Sequence, residues 1–271
     1  MSLKYDNTLL ATTEYVEALA LYFYCDFNNL NFDEEIGRRD KNELNDFPDF
    51  KLKSKNLEIV RAFDEFEGLE QKWVNAFFGR GKLIKKYDEL TDYTKEYNKK
   101  YGQKYGHHLK IKVTDDNVWG ALDLKDYQSI ITTIKKTIDN KYGEYNKKNN
   151  ERKLDLFVIN YHCLDKKSIQ NLFDLYSKNN ELNSFFDDVY ISYLCDEDTK
   201  NNYVMRMNKE EYEVKIVHSP DKNQLLDKII RLGRINGNQG YKQGKIFKKY
   251  EKKSCDGKND ELNSFFEWCF I

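Results

Sequence analysis

Two carboxylates, Asp49 and Glu58, bracket the segment Phe50-Lys51-Leu52-Lys53-Ser54-Lys55-Asn56-Leu57. Phe50 to Leu52 alternates as a strand does, Lys53 to Asn56 supplies turn residues, and Leu57-Glu58-Ile59-Val60 resumes a strand, so the stretch reads as a short β-hairpin. Such a hairpin sets Asp49 just before its first strand and Glu58 inside its second, where their oxygens could converge on one hard divalent cation. Acidic residues also flank strands as plain solvated ends, and spacing alone leaves that reading open.

The surrounding elements must position these groups. Residues 12 to 27 open with Thr12-Thr13 as N-cap candidates and carry Val16, Leu19, Ala20, Phe23 and Phe27 at helical spacing, which predicts an amphipathic first helix. Glu17 borders its apolar stripe; it is also placed to oppose the macrodipole and no more. Phe32 to Arg39 is ambiguous and is read as a first strand, with Glu35 a further carboxylate. Tyr127, Ile130, Ile131, Ile134, Ile138, Tyr142 and Tyr145 mark the strongest helix in the chain. On its wheel Lys135 and Lys141 fall on opposite margins of the stripe, from which a four-carbon stem can run inward or merely snorkel. Leu154 to Tyr161 reads as a buried strand, Ser168 to Tyr176 as a helix, Asp188 to Leu194 as a strand, and Asp196 to Asn202 as a turn. Tyr212 to Val217 then reads as a final strand, and Ser219-Pro220-Asp221 caps a helix ending near Leu232. This order predicts an α/β (α+β) fold, a central mixed β-sheet flanked by helices, as one domain over 1-271. A helical insertion at about 64-125 and a basic, Gly-containing segment at about 234-271 complete it.

Pro48-Asp49 followed by Glu58 resembles the core signature of the PD-(D/E)xK (restriction-endonuclease-like) nuclease superfamily: Pro-Asp, a loop, then Glu-x-Lys on the next strand. The order of elements over about 12 to 195 is similar as well, because a helix after the Glu strand precedes two further strands. Val60 stands where the family has its lysine, so this is a divergent form of the motif. The resemblance implies hydrolysis of phosphodiester bonds of DNA or RNA. It implies Mg²⁺ or Mn²⁺ held by Glu17, Asp49 and Glu58, with the Ile59 carbonyl as an extra ligand, and a water-orienting lysine supplied from the following helix by Lys141 or Lys135. Loss of the strand lysine equally suits a catalytically inactive nucleic-acid- or protein-binding module of this or a similar fold. Glu213-Val214-Lys215 is a literal Glu-x-Lys on a predicted strand, but no Pro-Asp precedes it at hairpin distance. Alternation puts Glu213 and Lys215 on one solvated face.

Residues 69 to 106 read as helical, broken at Gly79-Arg80-Gly81. Within them Tyr93, Tyr97, Tyr101 and Tyr105 recur with Lys95, Lys99, Lys100 and Lys104 between. Tyr97 and Tyr101 could stack unpaired bases while Lys100 and Lys104 neutralise phosphates; the stripe could equally be a packing face. Lys248 and Lys249, in a lysine-rich stretch after Gly237, Gly240 and Gly244, are further polyanion contacts or part of a solvated connector. The aromatic end, Phe265-Phe266-Glu267-Trp268-Cys269-Phe270, is expected to dock on the body or on a second copy, making a homo-oligomer.

Composition bounds the rest. In 271 residues, 45 basic and 46 acidic side chains nearly cancel, so any nucleic-acid surface must be local. The five cysteines form no CxxC pair, which argues against a zinc site or a disulfide framework and for a reducing cytoplasm. The apolar stretch from Ala18 to Phe27 is too short to cross a bilayer, so no membrane partner is expected. The histidines form no His-Glu-x-x-His, no Gly-x-Ser-x-Gly elbow occurs, and the glycine spacing is not that of a phosphate loop.

Overall fold

A strand buried on both faces reads as an unbroken apolar run, and Leu156 to Ile159 is such a run. In the computed structural model this segment is the centre of a six-stranded mixed sheet. The structure describes residues 13–36, 48–63, 90, 92–99, 110–113, 118–121, 127–145, 154–195 and 198–233. The strands of the large sheet are β1 (Phe50–Lys51), β2 (Asn56–Arg61), β5 (Leu154–Cys163), β6 (Val189–Cys195), β7 (Asp198–Met207) and β8 (Tyr212–Val217), in the order β1-β2-β5-β6-β7-β8. β2, β5 and β6 run parallel, while β1, β7 and β8 pair antiparallel with their neighbours.

Alternation along the strands sorts side chains to two faces, each covered by helices. Leu154, Leu156, Val158, Val189, Ile191, Met205 and Met207 share one core with Ile130, Ile131, Ile134 and Ile138 of helix α3 (Tyr127–Tyr145). Ile169, Leu172 and Tyr176 of α4 (Lys166–Ser177) and Leu182 of α5 (Asn180–Phe185) complete that core. On the other face Leu57, Phe157, Tyr190 and Val204 are buried. There α1 (Thr13–Asn28) brings Tyr24 and Phe27 edge-on to the Tyr190 ring at 4.9 and 5.5 Å, and α6 (Lys222–Arg231) packs beside α1. The expected mixed sheet flanked by helices is thus observed.

Helix starts follow side-chain capping. Asp165, Asn179 and Asp221 accept hydrogen bonds from the backbone N–H groups of Ser168, Leu182 and Gln224, satisfying donors that a helix start leaves unpaired. The same effect corrects the strand reading over Phe32 to Ile36, the rest of that stretch lying outside the described residues. Asn31 accepts from the Asp33 N–H, and Phe32–Glu35 forms the short helix α2, with three acidic side chains in its first turn facing the positive end of the dipole. The turn expected over Asp196 to Asn202 is also corrected, because Asp198 already belongs to β7, where Tyr203 pairs with Tyr193 of β6. Its polar start imitates turn chemistry, whereas ladder pairing and the apolar residues after Asn202 decide the conformation.

The chain divides into two compact units, one containing Leu10–Phe63 and Asp126–Asn236, the other Asp64–Lys125 and Gly237–Ile271. In the second unit the described elements are helical residues 92–99 and the antiparallel pair β3 (Lys110–Val113) and β4 (Val118–Ala121).

Ile134 is fully buried against the sheet. Ile134→Ala is expected to lower unfolding stability by about 2–5 kcal/mol. Urea denaturation should show this as a lower midpoint with an unchanged slope.

A carboxylate pair joined by a helix lysine

The β1–β2 register sets Phe50 opposite Leu57, which brings Asp49 level with Glu58. The two residues interlock. The Asp49 N–H donates to Glu58 Oε2 at 3.3 Å, and the Ile59 N–H donates to Asp49 Oδ2 at 2.8 Å. The hairpin between them closes through the Leu52 N–H to the Lys55 carbonyl at 2.9 Å. Glu35 of α2 is buried against this turn and accepts from the Lys53 N–H at 3.2 Å, so it serves the hairpin backbone.

Glu58 is only 5% exposed and lies on the α3 side of the sheet. Lys141, in the last turns of α3, sets its Nζ 3.3 Å from Glu58 Oε1 and 3.0 Å from Glu144 Oε2. Val60, two residues after Glu58 and on the same face, packs against the apolar core beneath α3. Two residues after Glu58 this face is therefore filled by a hydrophobic contact, and the ammonium of Lys141 reaches the carboxylate from α3. Lys135, on the opposite margin of α3, pairs with Asp139 one turn on. Glu17 lies on α1, across the sheet from the Glu58 side chain, and does not join the pair. No group of three or more His, Cys, Asp or Glu side chains that could hold a metal occurs among the described residues.

The candidate nucleic-acid residues are only partly described. In helical residues 92–99 the buried side is formed by Thr94 and Asn98, with Tyr97 half-buried beside them and Tyr93 44% exposed. The buried face is thus turned away from the centre of the tyrosine stripe, and Lys95 and Lys99 lie exposed. Lys100, Tyr101, Lys104, Lys248, Lys249 and the aromatic C-terminus lie outside the described residues.

Sequence reasoning missed a second ionic cluster, at the amino ends of the parallel strands. Asp155 is 0% exposed. Its Oδ2 accepts from the Tyr24 hydroxyl at 2.8 Å, and Lys55 Nζ sits 3.1 Å from its Oδ1 and 3.0 Å from Asp188 Oδ2. Burial pushes the Asp155 carboxyl up to about 6, an effect that the Lys55 charge and the Tyr24 hydrogen bond only partly offset. Burial opposes the Lys55 ammonium too, but the carboxylates of Asp155 and Asp188 outweigh it and hold Lys55 above its ordinary value. Burial, with the Asp155 charge behind it, raises the Tyr24 hydroxyl far above the usual tyrosine range. The signal was a lone Asp inside an apolar run, since a charge in a strand covered on both faces requires partners.

At the carboxyl ends of β5 and β6 lies a cavity of about 310 Å³, lined largely by apolar groups of α1 and by Asn160 and Ser192. The Asn160 N–H donates to Ser192 Oγ at 3.4 Å, and its side-chain amide donates to the His162 carbonyl at 2.9 Å. Both polar residues are thus engaged within the protein.

No protein-family model matches the chain, and no curated protein matches it significantly in sequence.

Asp155 supplies a pH test. Its folded-state pKa lies above the ordinary value of 3.8, so its contribution to stability is fully present below about pH 4 and is lost as pH rises through about 6. Asp155→Asn removes this dependence. The unfolding free energy of the variant relative to wild type should climb by roughly 2–3 kcal/mol between pH 4 and 7. Urea titrations across that range measure it, and parallel curves for the two proteins would contradict the assignment.

Proposed function

We propose that the chain is a divergent PD-(D/E)xK-type phosphodiesterase in which Asp49 and Glu58 hold Mg²⁺ or Mn²⁺ and Lys141 replaces the strand lysine. The observation that carries this reading is the Lys141 ammonium at 3.3 Å from Glu58, delivered by α3 while Val60 packs against the core. The donor set suits magnesium, which is usually bound through one or two carboxylates and keeps several waters. Local charge agrees: the Lys141 ammonium lies against both Glu58 and Glu144, with the Asp49 carboxylate next to Glu58 in the hairpin. When bound, the ion would acidify a water and offset charge on the phosphate. Asp49 contributes a carboxylate fixed by the Ile59 N–H, so its orientation is set before substrate arrives. Lys141 would move from Glu58 Oε1 toward the attacking water or a phosphate oxygen, a short displacement for a flexible stem. In the other unit, Tyr93, Lys95 and Lys99 are exposed, residue types that by themselves suit stacking and phosphate contacts with DNA or RNA.

A second reading rests on one observation. Both Glu58 oxygens already accept hydrogen bonds within the protein, and Glu17 does not complete a third ligand. On that reading the carboxylates fasten α3 to the hairpin, and the protein is an inactive nucleic-acid- or protein-binding module. No helix among the described residues is long and apolar enough to cross a membrane. The free thiols Cys25, Cys163 and Cys195 suit the reducing cytoplasm that we assign to the protein.

Calorimetric titration of Mn²⁺ and cleavage of single- and double-stranded DNA and RNA separate the two readings. Wild type should bind the ion and cut, Asp49→Ala/Glu58→Ala should do neither, and Lys141→Ala should retain binding while losing about 10²-fold or more in rate. Equal heats in wild type and the double variant would sink the metal site. Polyanion binding without cleavage, weakening steeply with salt, would favour the binding module.

A further inference from the structure

Among the described residues β8 is the outer strand of the large sheet, and its sequence Tyr212-Glu213-Val214-Lys215-Ile216 is absorbed by no part of the carboxylate site. Tyr212 and Val214 are each 38% exposed and Ile216 is 54% exposed, a row of large apolar side chains on one face of an edge strand. Edges of this kind are templates for pairing unless blunted. On the other face Glu213 and Lys215 lie 3.3 Å apart, with Arg206 of β7 3.4 Å from Glu213. Lys215 also stands 4.4 Å over the Phe27 ring and donates to the Phe27 carbonyl.

The backbone of this edge is oriented for a partner. Asn208 donates its N–H to the Glu211 carbonyl at 3.0 Å, closing the turn through Lys209-Glu210. Bonded and non-bonded pairs alternate along an antiparallel ladder, so in the observed register Glu213, Lys215 and Val217 bond to β7. Tyr212, Val214 and Ile216 therefore turn their N–H and C=O groups outward, along the same row that exposes apolar side chains.

We infer that β8 pairs antiparallel with β8 of a second copy of this chain, about a two-fold axis at Val214, joining two sheets into one. The charge pattern selects this occupant. With Val214 opposite Val214 of the partner subunit, Tyr212 meets Ile216 of the partner subunit on the apolar face. Glu213 then meets Lys215 of the partner subunit, and Lys215 meets Glu213 of the partner subunit, on the other face. Opposite charges fall together at both symmetry-related positions, and they fall at non-hydrogen-bonded pairs, where cross-strand side chains are closest. Val214 falls at a hydrogen-bonded pair, consistent with its outward backbone groups. A two-fold interface requires such self-complementarity.

The test is charge exchange read by light scattering after size exclusion, on the full chain. Wild type should elute as a dimer. E213K opposes lysines and K215E opposes glutamates across the axis, so each alone should run at half the wild-type mass. Mixing the two single variants should restore a dimer containing both chains, and the double variant E213K/K215E should dimerise alone. Circular dichroism matching wild type excludes unfolding as the cause, and E213K, which leaves the Lys215 contact with Phe27 in place, guards against that loss. A wild-type monomer at every soluble concentration would overturn the inference, whether or not the edge captures a foreign peptide. A dimer that persists in both single variants would overturn it too. Neither result would bear on metal binding by Asp49 and Glu58.

Discussion

The sheet is organised around a carboxylate with no access to water. Asp155 enters the second position of the central strand fully buried, and it is tolerable there because Tyr24, Lys55 and the neighbouring Asp188 converge on one point. These partners come from α1, from the turn that leads into β2, and from the residue that leads into β6. One ionic knot therefore gathers the starts of all three parallel strands and the helix that covers them. Parallel strands lack the tight hairpin that fixes register in an antiparallel pair. A buried charge satisfied in one alignment only supplies a comparable constraint, because a slip would leave Asp155 or Lys55 unpaired at a cost of several kcal/mol.

The carboxylate pair of β1 and β2 depends on that alignment. Lys55 anchors the hairpin turn at its far end, so the knot fixes where β2 begins and hence that Glu58 points toward α3. Val60 then shares the face of Glu58 and packs against the core, where an ammonium could not be buried without a partner. Lys141, partly exposed, reaches Glu58 with its ammonium from α3. A valine on the strand with a lysine on the helix is thus coherent as packing, independently of any reaction.

Sequence periodicity revealed much of this arrangement. The isoleucine stripe of α3, the apolar run of β5 and the alternation of β8 each follow from burial on one or two faces. What escaped reading was decided by tertiary pairing or by a cap. β7 begins with Asp198-Thr-Lys-Asn-Asn, residues that suit a turn, yet Asp198 pairs with Cys195 of β6 and Asn202 with Val217 of β8. α2 arises from the Asn31 cap on a stretch whose apolar residues are too sparse to show a period. Within the site, Asp49 and Glu58 were legible as a hairpin pair, and Lys141 as a margin lysine. The wheel treated Lys135 as its equal, because it cannot say which margin of α3 faces β2. Asp155 was visible as a charge in an apolar strand, whereas Lys55 and Tyr24, distant in sequence, were not recoverable by spacing.

The two ends of the sheet have unlike demands placed on them. β1, at one end, is two residues long, and pairing beyond it is curtailed by its brevity, which leaves the Asp49 carboxylate at a partly open border. β8, at the other end, is long, apolar on one face and charge-patterned on the other. Edge pairing there would extend the sheet away from the carboxylates: at about 4.8 Å per strand, the two Glu58 sites of a β8-joined pair would lie roughly 40 Å apart. Pairing would neither cover one carboxylate site with the other subunit's strands nor supply a ligand to it. The proposed assembly and the proposed metal chemistry therefore draw on separate residues at opposite edges of one sheet, and the physical basis of each stands without the other.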